Sequence, residues 1–98
     1  MRRLLNTAEV LTTFNPEQPW TLSSKVALRD ESFGALAYHY GNRRLVFLKS
    51  RDLVDLVRDL EHHDKAADAI VATVGPERFD TYVRALDALV ESEVICER

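Results

Sequence analysis

Residues 26–49, which read VALRDESFGALAYHYGNRRLVFLK, decide the fold. Short apolar runs alternate here with residues that favour turns, which is typical of an antiparallel meander. The second turn is expected to be tight, because glycine and asparagine readily adopt positive φ. We predict a strand at Val26–Arg29, a turn at Asp30–Phe33, a strand at Gly34–Tyr40, a turn at Gly41–Asn42 and a strand at Arg44–Leu48.

The third strand has apolar residues on both faces. Leu45 and Phe47 share one face, whereas Arg44, Val46 and Leu48 share the other, because side chains alternate along a strand. If one face of the sheet were exposed to water, polar residues would be expected on that face. We therefore expect a helix or a partner to cover the second face. Because this strand is the last of the meander, it is also a candidate free edge.

Helical periodicity begins after Lys49. Ser50 is a candidate N-cap for a first helix, whose apolar face is Leu53, Leu56, Val57 and Leu60. Asp64 is the expected cap of a second helix, with Ala67, Ile70, Val71 and Val74 on its apolar face. Gly75 is expected to end that helix, and Pro76 to open a third.

The third helix is expected to run to about Ser92 and to carry a broad apolar stripe. Val94 and Ile95 are expected to return to the core as a short tail. The stripe consists of Phe79, Tyr82, Val83, Leu86, Leu89 and Val90.

Three strands followed by three helices predict an α+β domain with the helices on one face of a small antiparallel sheet. A chain of 98 residues has room for one such core. We expect an N-terminal extension and linker at residues 1–19 and the folded domain at residues 20–98. A short helix is expected within residues 1–13, and Asn15–Pro19 reads as the linker. Trp20 is expected to anchor a loop on the core.

Composition limits the partners and the location. The net charge is −3, but residues 1–49 carry +3 (7 − 4) and residues 50–98 carry −6 (6 − 12). A basic surface is therefore expected in the first half only. No apolar stretch is long enough for a membrane span or a signal peptide, so we expect a cytoplasmic protein that contacts no membrane. Cys96 is the single cysteine and cannot form an internal disulfide.

No residue set points to catalysis or to a cofactor. Adjacent helical residues point about 100° apart, so His62 and His63 cannot chelate one metal from a regular helix, and we expect them at a solvated corner. His39 is expected to be a satisfied sheet histidine. Cys96 lacks the orienting and oxyanion-stabilising motifs of a nucleophile. We expect a protein that is not an enzyme and that holds no cofactor and no metal.

A winged helix also combines three helices with a small sheet, so a DNA-binding or transcription module is the alternative. Its reading helix would be the third one, which carries two arginines and four carboxylates between Pro76 and Ser92. A helix with a net charge of −2 is poorly suited to face phosphates. We therefore expect no nucleic-acid partner.

One segment of the sequence is more informative about the protein family than the overall composition is. It comprises Trp20–Leu22, Val26–Arg29, Glu31–Gly41 and Arg43–Ser50. It resembles the peptide chaperones of mycofactocin biosynthesis, which belong to the precursor-peptide recognition elements of ribosomally made, modified peptides. It is similar in plan to the peptide chaperone of pyrroloquinoline quinone biosynthesis. The resemblance covers about residues 14–95.

The resemblance implies a winged-helix-like fold and a noncatalytic role. Such a chaperone binds the leader of a short precursor peptide as an added strand and presents it to a radical S-adenosylmethionine (SAM) maturase. The sequence leaves open which face of the third strand meets the peptide, and whether the chain is a monomer or a weak edge-to-edge dimer. The implied peptide-binding residues are Arg43, Arg44, Leu45, Val46, Phe47, Leu48, Lys49, Arg78, Phe79, Tyr82, Val83 and Leu86.

Overall fold

The computed structural model describes residues 14–98, so the helix expected within residues 1–13 lies outside the described part of the chain. The described residues form an α+β domain. Its strands are β1 (Trp20–Leu22), β2 (Val26–Glu31), β3 (Gly34–His39), β4 (Leu45–Leu48) and β5 (Ile95–Glu97). Its helices are α1 (Arg51–Asp59), α2 (Ala66–Val74) and α3 (Phe79–Glu91), with 3₁₀ turns at Leu60–His62 and Pro76–Arg78.

Strands β2, β3 and β4 form the predicted three-stranded antiparallel sheet, in that order. The first strand is longer than expected, because Asp30 and Glu31 continue the ladder and pair with Ala35 and Gly34. The turn therefore contains only Ser32 and Phe33. Gly34 makes this arrangement possible, since its φ is +150° and a Cβ there would overlap the carbonyl oxygen of Leu48.

The loop between β3 and β4 differs from the prediction. The positive φ falls on Arg43, at +64°, and not on Gly41 or Asn42. The Arg43 amide donates to the His39 carbonyl at 2.8 Å, and the His39 amide donates to the Arg44 carbonyl at 3.0 Å. The loop is thus closed by main-chain bonds at its base, and Arg43 takes the left-handed conformation that closure requires.

A second, two-stranded sheet was not predicted. Strand β1 pairs with β5, which places Trp20 opposite Glu97 and Leu22 opposite Ile95. Trp20 is buried, its ring lies 5.1 Å from that of Phe14, and its indole N–H donates to the Asn15 carbonyl at 2.8 Å. The expectation that Trp20 anchors a loop on the core is confirmed.

Residues 14–19 pack on the domain and cap α2. The carbonyls of Gln18 and Pro16 accept hydrogen bonds from the first amides of α2, at Ala66 (3.0 Å) and Ala67 (2.8 Å). The predicted cap at Asp64 is wrong, because Lys65 occupies the N-cap position and makes no side-chain capping bond. Main-chain carbonyls from a distant segment satisfy those amides instead.

The predicted face of α2 is rotated by about one residue. The buried residues are Ala66, Ala69 and Ile70, whereas Val71 is 47% exposed. Docking of residues 16–18 on the helix start turns Ala66 towards the core, and the rest of the helix follows. By contrast, the predicted cap of α1 is confirmed, since the Ser50 hydroxyl accepts from the Leu53 amide at 3.1 Å.

The core lies between the three-stranded sheet and the helices. Helix α1 contacts β3 and β4, and α3 contacts α2 and β5. Helix α3 begins at Phe79 because Pro76–Arg78 form a 3₁₀ turn. It buries Tyr82, Leu86 and Leu89, and Val94 and Ile95 return to the core as predicted. None of the helices within residues 14–98 is long and apolar enough to cross a membrane.

Candidate functional site: the edge of strand β4

Strand β4 lies at one edge of the three-stranded sheet, and no strand in residues 14–98 pairs with its outer side. Its register places Val46 opposite Ala37 and Phe47 opposite Leu36. The Arg44 carbonyl accepts from His39, so the main-chain groups of Arg44 point into the sheet. In an antiparallel ladder this direction alternates. The main-chain N–H and C=O groups of Leu45 and Phe47 therefore point outward from the edge.

The structure settles which side chains of β4 face the helices. Leu48 is fully buried in the core and Val46 is half-buried against it, so both lie on the helix side. Leu45 and Phe47 are 61% and 56% exposed and lie on the opposite, outer face of the sheet. Among the implied peptide-binding residues of β4, only Val46 both faces the helices and retains exposed surface.

Two side-chain contacts relate the ends of helix α3 to the two ends of β4. At the start of the helix, the Arg78 guanidinium forms an ion pair of 3.0 Å with Asp52, four residues beyond the end of β4. Past the end of the helix, Glu93 lies 3.9 Å from the ring of His39, whose amide bonds to the residue that precedes β4. Two contacts thus bring the ends of α3 to opposite ends of the strand.

The apolar residues of α3 implied in peptide binding fall into two groups, two that are half-buried and two that are buried. Phe79 and Val83 are half-buried and pack against the core, as Val46 does. Tyr82 is 8% exposed and Leu86 is fully buried, so both belong to the core. The Arg78 guanidinium lies 5.4 Å from the centre of the Tyr82 ring, a cation–π distance that fixes Arg78 over the helix start. We call these three partly exposed apolar residues, Val46, Phe79 and Val83, the groove.

Three cations flank the edge. Arg43 and Arg44 precede β4 and Lys49 follows it, and all three are exposed. None of them forms an ion pair within residues 14–98, whereas Arg78 is paired with Asp52. These three charges are thus available to an anionic partner.

The sequence predicts a second apolar face on β4, and the structure shows that aromatic residues of β3 and of the turn before it extend this outer face. Phe33 lies on Phe47 with ring centres 5.8 Å apart, and Tyr38 meets Tyr40 edge-on at 5.4 Å. Phe33 was assigned to a turn without a role. The signal that could have revealed this extension is the alternation of Leu36, Tyr38 and Tyr40 with small residues and His39.

His39 and His63 make local hydrogen bonds, and His62 is exposed. The His39 Nδ1 accepts from the amides of Gly41 (2.9 Å) and Asn42 (3.1 Å), which confirms the satisfied sheet histidine and places the proton of the neutral ring on Nε2. His63 bonds to Asp59 at 2.8 Å across one helical turn, while His62 is exposed at the corner. Within residues 14–98 no three metal-ligating side chains come together.

An unpaired strand edge beside an apolar helix surface is the kind of site that peptide-binding domains use. Comparison with known families agrees with that class. The chain belongs to the peptide chaperone MftB family, whose model matches residues 19–96. The family is one of peptide chaperones, which accords with the expectation that the chain is not an enzyme.

Curated relatives support the same assignment. The chain is 43% identical over 84 residues to the peptide chaperone MftB of Mycolicibacterium smegmatis, which covers 85% of this chain and 82% of that protein. It is 40% identical to the protein of the same name from Mycobacterium ulcerans (84% and 76%) and 38% identical to that from Mycobacterium tuberculosis (87% and 79%). No solved structure matches, so the winged-helix likeness stays a prediction.

Proposed function

We propose that this chain binds the leader of a short precursor peptide as a fourth strand beside β4 and presents it to a radical SAM maturase in mycofactocin biosynthesis. The observation that carries the proposal is the unpaired outer side of β4, which lies beside the groove and between three free cations. The peptide chaperone family assignment supports a peptide as the ligand.

Main-chain pairing supplies direction but little affinity. Leu45 and Phe47 together offer two N–H and two C=O groups, so a peptide can form about four hydrogen bonds worth roughly 1 kcal/mol each. Ordering about five peptide residues costs about 1–2 kcal/mol per residue. The two contributions roughly cancel or leave a deficit, so the favourable free energy of binding comes from side chains.

The groove is where such side chains fit. A peptide strand beside β4 directs alternate side chains towards the helices, next to Val46 and within reach of Phe79 and Val83. Each large apolar side chain that becomes fully buried contributes roughly 1.5–3 kcal/mol. Two such residues, spaced two apart in the peptide, contribute about 3–6 kcal/mol, so micromolar affinity, which requires about −8 kcal/mol, needs further buried side chains as well as the flanking charges.

The flanking cations select an acidic peptide over a second copy of the chain. Two β4 edges paired antiparallel about Val46 would place Arg43 of one copy opposite Lys49 of the other. Like charges opposite each other destabilise strand pairs. A peptide with carboxylates at both ends of its apolar segment meets the same cations favourably and is steered towards the edge.

No observation favours the nucleic-acid alternative. The arginine at the start of the candidate reading helix, Arg78, is already paired with Asp52 and stacked on Tyr82. Arg84 is exposed on α3 and forms no ion pair within residues 14–98, but the four carboxylates between Pro76 and Ser92 outnumber the two arginines there and leave a net charge of −2. A mobility-shift assay at low salt checks this alternative directly.

Calorimetric titration of the full chain with the synthetic precursor peptide tests the proposal. We expect saturable one-to-one binding that is lost when the leader is removed from the peptide. A scrambled leader of the same composition is the matched control for nonspecific charge attraction. Equal binding of the native and scrambled leaders, or no binding at tens of micromolar by a folded chain even when the maturase is present, would refute it.

A further inference from the structure

The outer face of the sheet, on the side away from the helices, is apolar and uncovered within residues 14–98. Four large side chains on it are exposed to between 43% and 61%. With about 200 Å² for a whole large side chain, they expose about 400 Å² together. A patch of this size is at the level where exposed apolar surface on a monomer is often functional. The four residues are Phe33, Tyr40, Leu45 and Phe47.

The four side chains supply about 400 Å² of apolar surface on one copy, which is close to the apolar share of the roughly 800 Å² that one partner contributes to a standard interface. Area alone therefore admits both a second copy of the chain and another protein. Only the enzyme that modifies the peptide must also contact the bound peptide.

The proposed peptide would extend the patch. A strand added beside β4 points every second side chain to the outer face, next to Leu45 and Phe47. Two or three peptide side chains at roughly 150 Å² each would bring the continuous surface close to the 800 Å² of one partner in a standard interface. Aromatic residues, which dominate this face, are also the residues that most often carry binding energy in interfaces.

We infer that the outer face of the sheet, together with the outward side chains of the bound peptide, is the docking surface for the enzyme that modifies the peptide. This inference rests on the proposed function. The ion pair between Arg29 and Glu31, at 2.7 Å, forms a polar rim on the β2 side of the patch. The groove on the helix side binds the leader. The opposite face, with the bound peptide, binds the enzyme.

A thermodynamic consequence distinguishes this arrangement from simple tethering. If the enzyme contacts chain and peptide at once, it binds the loaded chaperone more tightly than the empty one, and by linkage it also tightens peptide binding by the same factor. We expect a coupling of about tenfold in both dissociation constants, within the range that is usual for coupled sites.

The test uses variants on the outer face that lie off the β4 edge. Phe33→Ser and Tyr40→Ser are combined in the full chain, and Val71→Ser is the matched control, because Val71 is 47% exposed on α2. Binding is measured to the synthetic precursor peptide and to the purified maturase, with and without peptide. The double variant should bind peptide within about twofold of the parent and loaded maturase about tenfold or more weakly, while the control matches the parent.

Three results would overturn the inference. They are unchanged maturase binding by the double variant, equal affinity of the maturase for empty and loaded chaperone, and loss of maturase binding in the Val71→Ser control. A parent chain that binds no peptide defeats the proposed function instead, and that result is read from the peptide titration alone.

Hydroxyl-radical footprinting of the aromatic residues identifies any other occupant. Under the inference, Phe33 and Tyr40 are labelled in the free chain and protected only when the maturase is present. Protection that grows with chaperone concentration would show that a second copy covers the face. Protection in the dilute free chain would show that the chain covers it itself, and either pattern refutes the inference.

Discussion

Proline at position 47 should weaken peptide binding and leave the chain folded. Phe47 is an edge residue whose N–H points away from the sheet, and proline is tolerated in strands where the missing N–H would face solvent. The residue before it, Val46, already has the extended backbone that a following proline prefers. The lost ring was 56% exposed, so its removal costs the free protein little packing. We expect the free energy of unfolding to change by no more than about 1 kcal/mol.

The effect on binding is larger, because the proline ring occupies the space where the added strand would lie. One main-chain hydrogen bond is lost outright, at about 1 kcal/mol, and its neighbour is strained by the separation of the strands. We therefore expect affinity for the precursor peptide to fall by about tenfold or more, which corresponds to about 1.4 kcal/mol. Fluorescence anisotropy with a labelled peptide measures it, and urea denaturation measures stability.

Two further substitutions isolate the main chain from the side chain. Phe47→Ala removes the ring but keeps the N–H, and should change peptide affinity by less than about threefold. Val46→Pro removes a bond directed inward to Ala37 and should cost about 1–3 kcal/mol of stability, because the Ala37 carbonyl is left unpaired in the sheet. If Phe47→Pro stays folded and binds like the parent, strand addition at this edge is wrong.

Other predictions concern charge, backbone and core. Exchanging both Arg44 and Lys49 for glutamate should weaken peptide binding about tenfold at low salt and less at high salt, whereas Arg84→Glu on α3 should have little effect; an equal loss in all variants would contradict steering at the edge. Gly34→Ala should lower the free energy of unfolding by roughly 2–4 kcal/mol, because of its φ of +150° and the carbonyl oxygen facing it; a denaturation curve like the parent's would show that the turn can relax. Leu86→Ala should cost about 2–5 kcal/mol of stability but leave peptide affinity within about threefold where the variant is folded, and a selective loss of affinity would place Leu86 in direct contact with the peptide.

Local signals were enough to predict the three-stranded sheet and the three helices that follow it. Apolar periodicity located the sheet and the three helices, and the Ser50 hydroxyl caps α1 as its position suggested. These features depend on residues only a few positions apart in the sequence, so local sequence patterns are enough to predict them. Burial of Trp20 was likewise predictable, because a tryptophan side chain is large and mostly apolar and is therefore stabilised by packing on the core.

Features that depend on distant residues could not be predicted. Strands β1 and β5 have three residues each and pair only because the intervening domain brings them together. The cap of α2 comes from the carbonyls of Pro16 and Gln18, about fifty residues away in the chain, so Asp64 was the only local candidate. The positive φ moved to Arg43 because main-chain bonds close the loop at its base.

The candidate site, like the fold, could be predicted only in part. The edge position of β4 and its flanking cations follow from the order of the strands and could be predicted. Which side of the strand faces the helices depends on burial of Leu48, and a shift of one residue would exchange the two faces. The sequence shows apolar residues on both sides of β4 and therefore leaves that choice open.

The pairing of β1 with β5 has a consequence for protein engineering. The chain enters this two-stranded ribbon at Pro19 and leaves it at Arg98, where the Arg98 amide donates to the Pro19 carbonyl at 3.1 Å. The Arg98 guanidinium also donates to the carbonyls of Glu61 and His63, which fastens this corner to the helices. Residues 14–18 also pack on the domain, so an inserted unit would have to begin before Phe14, and the contact between Pro19 and Arg98 would close it a few residues further in. The β4 edge belongs to the other sheet and would stay free in such an insertion.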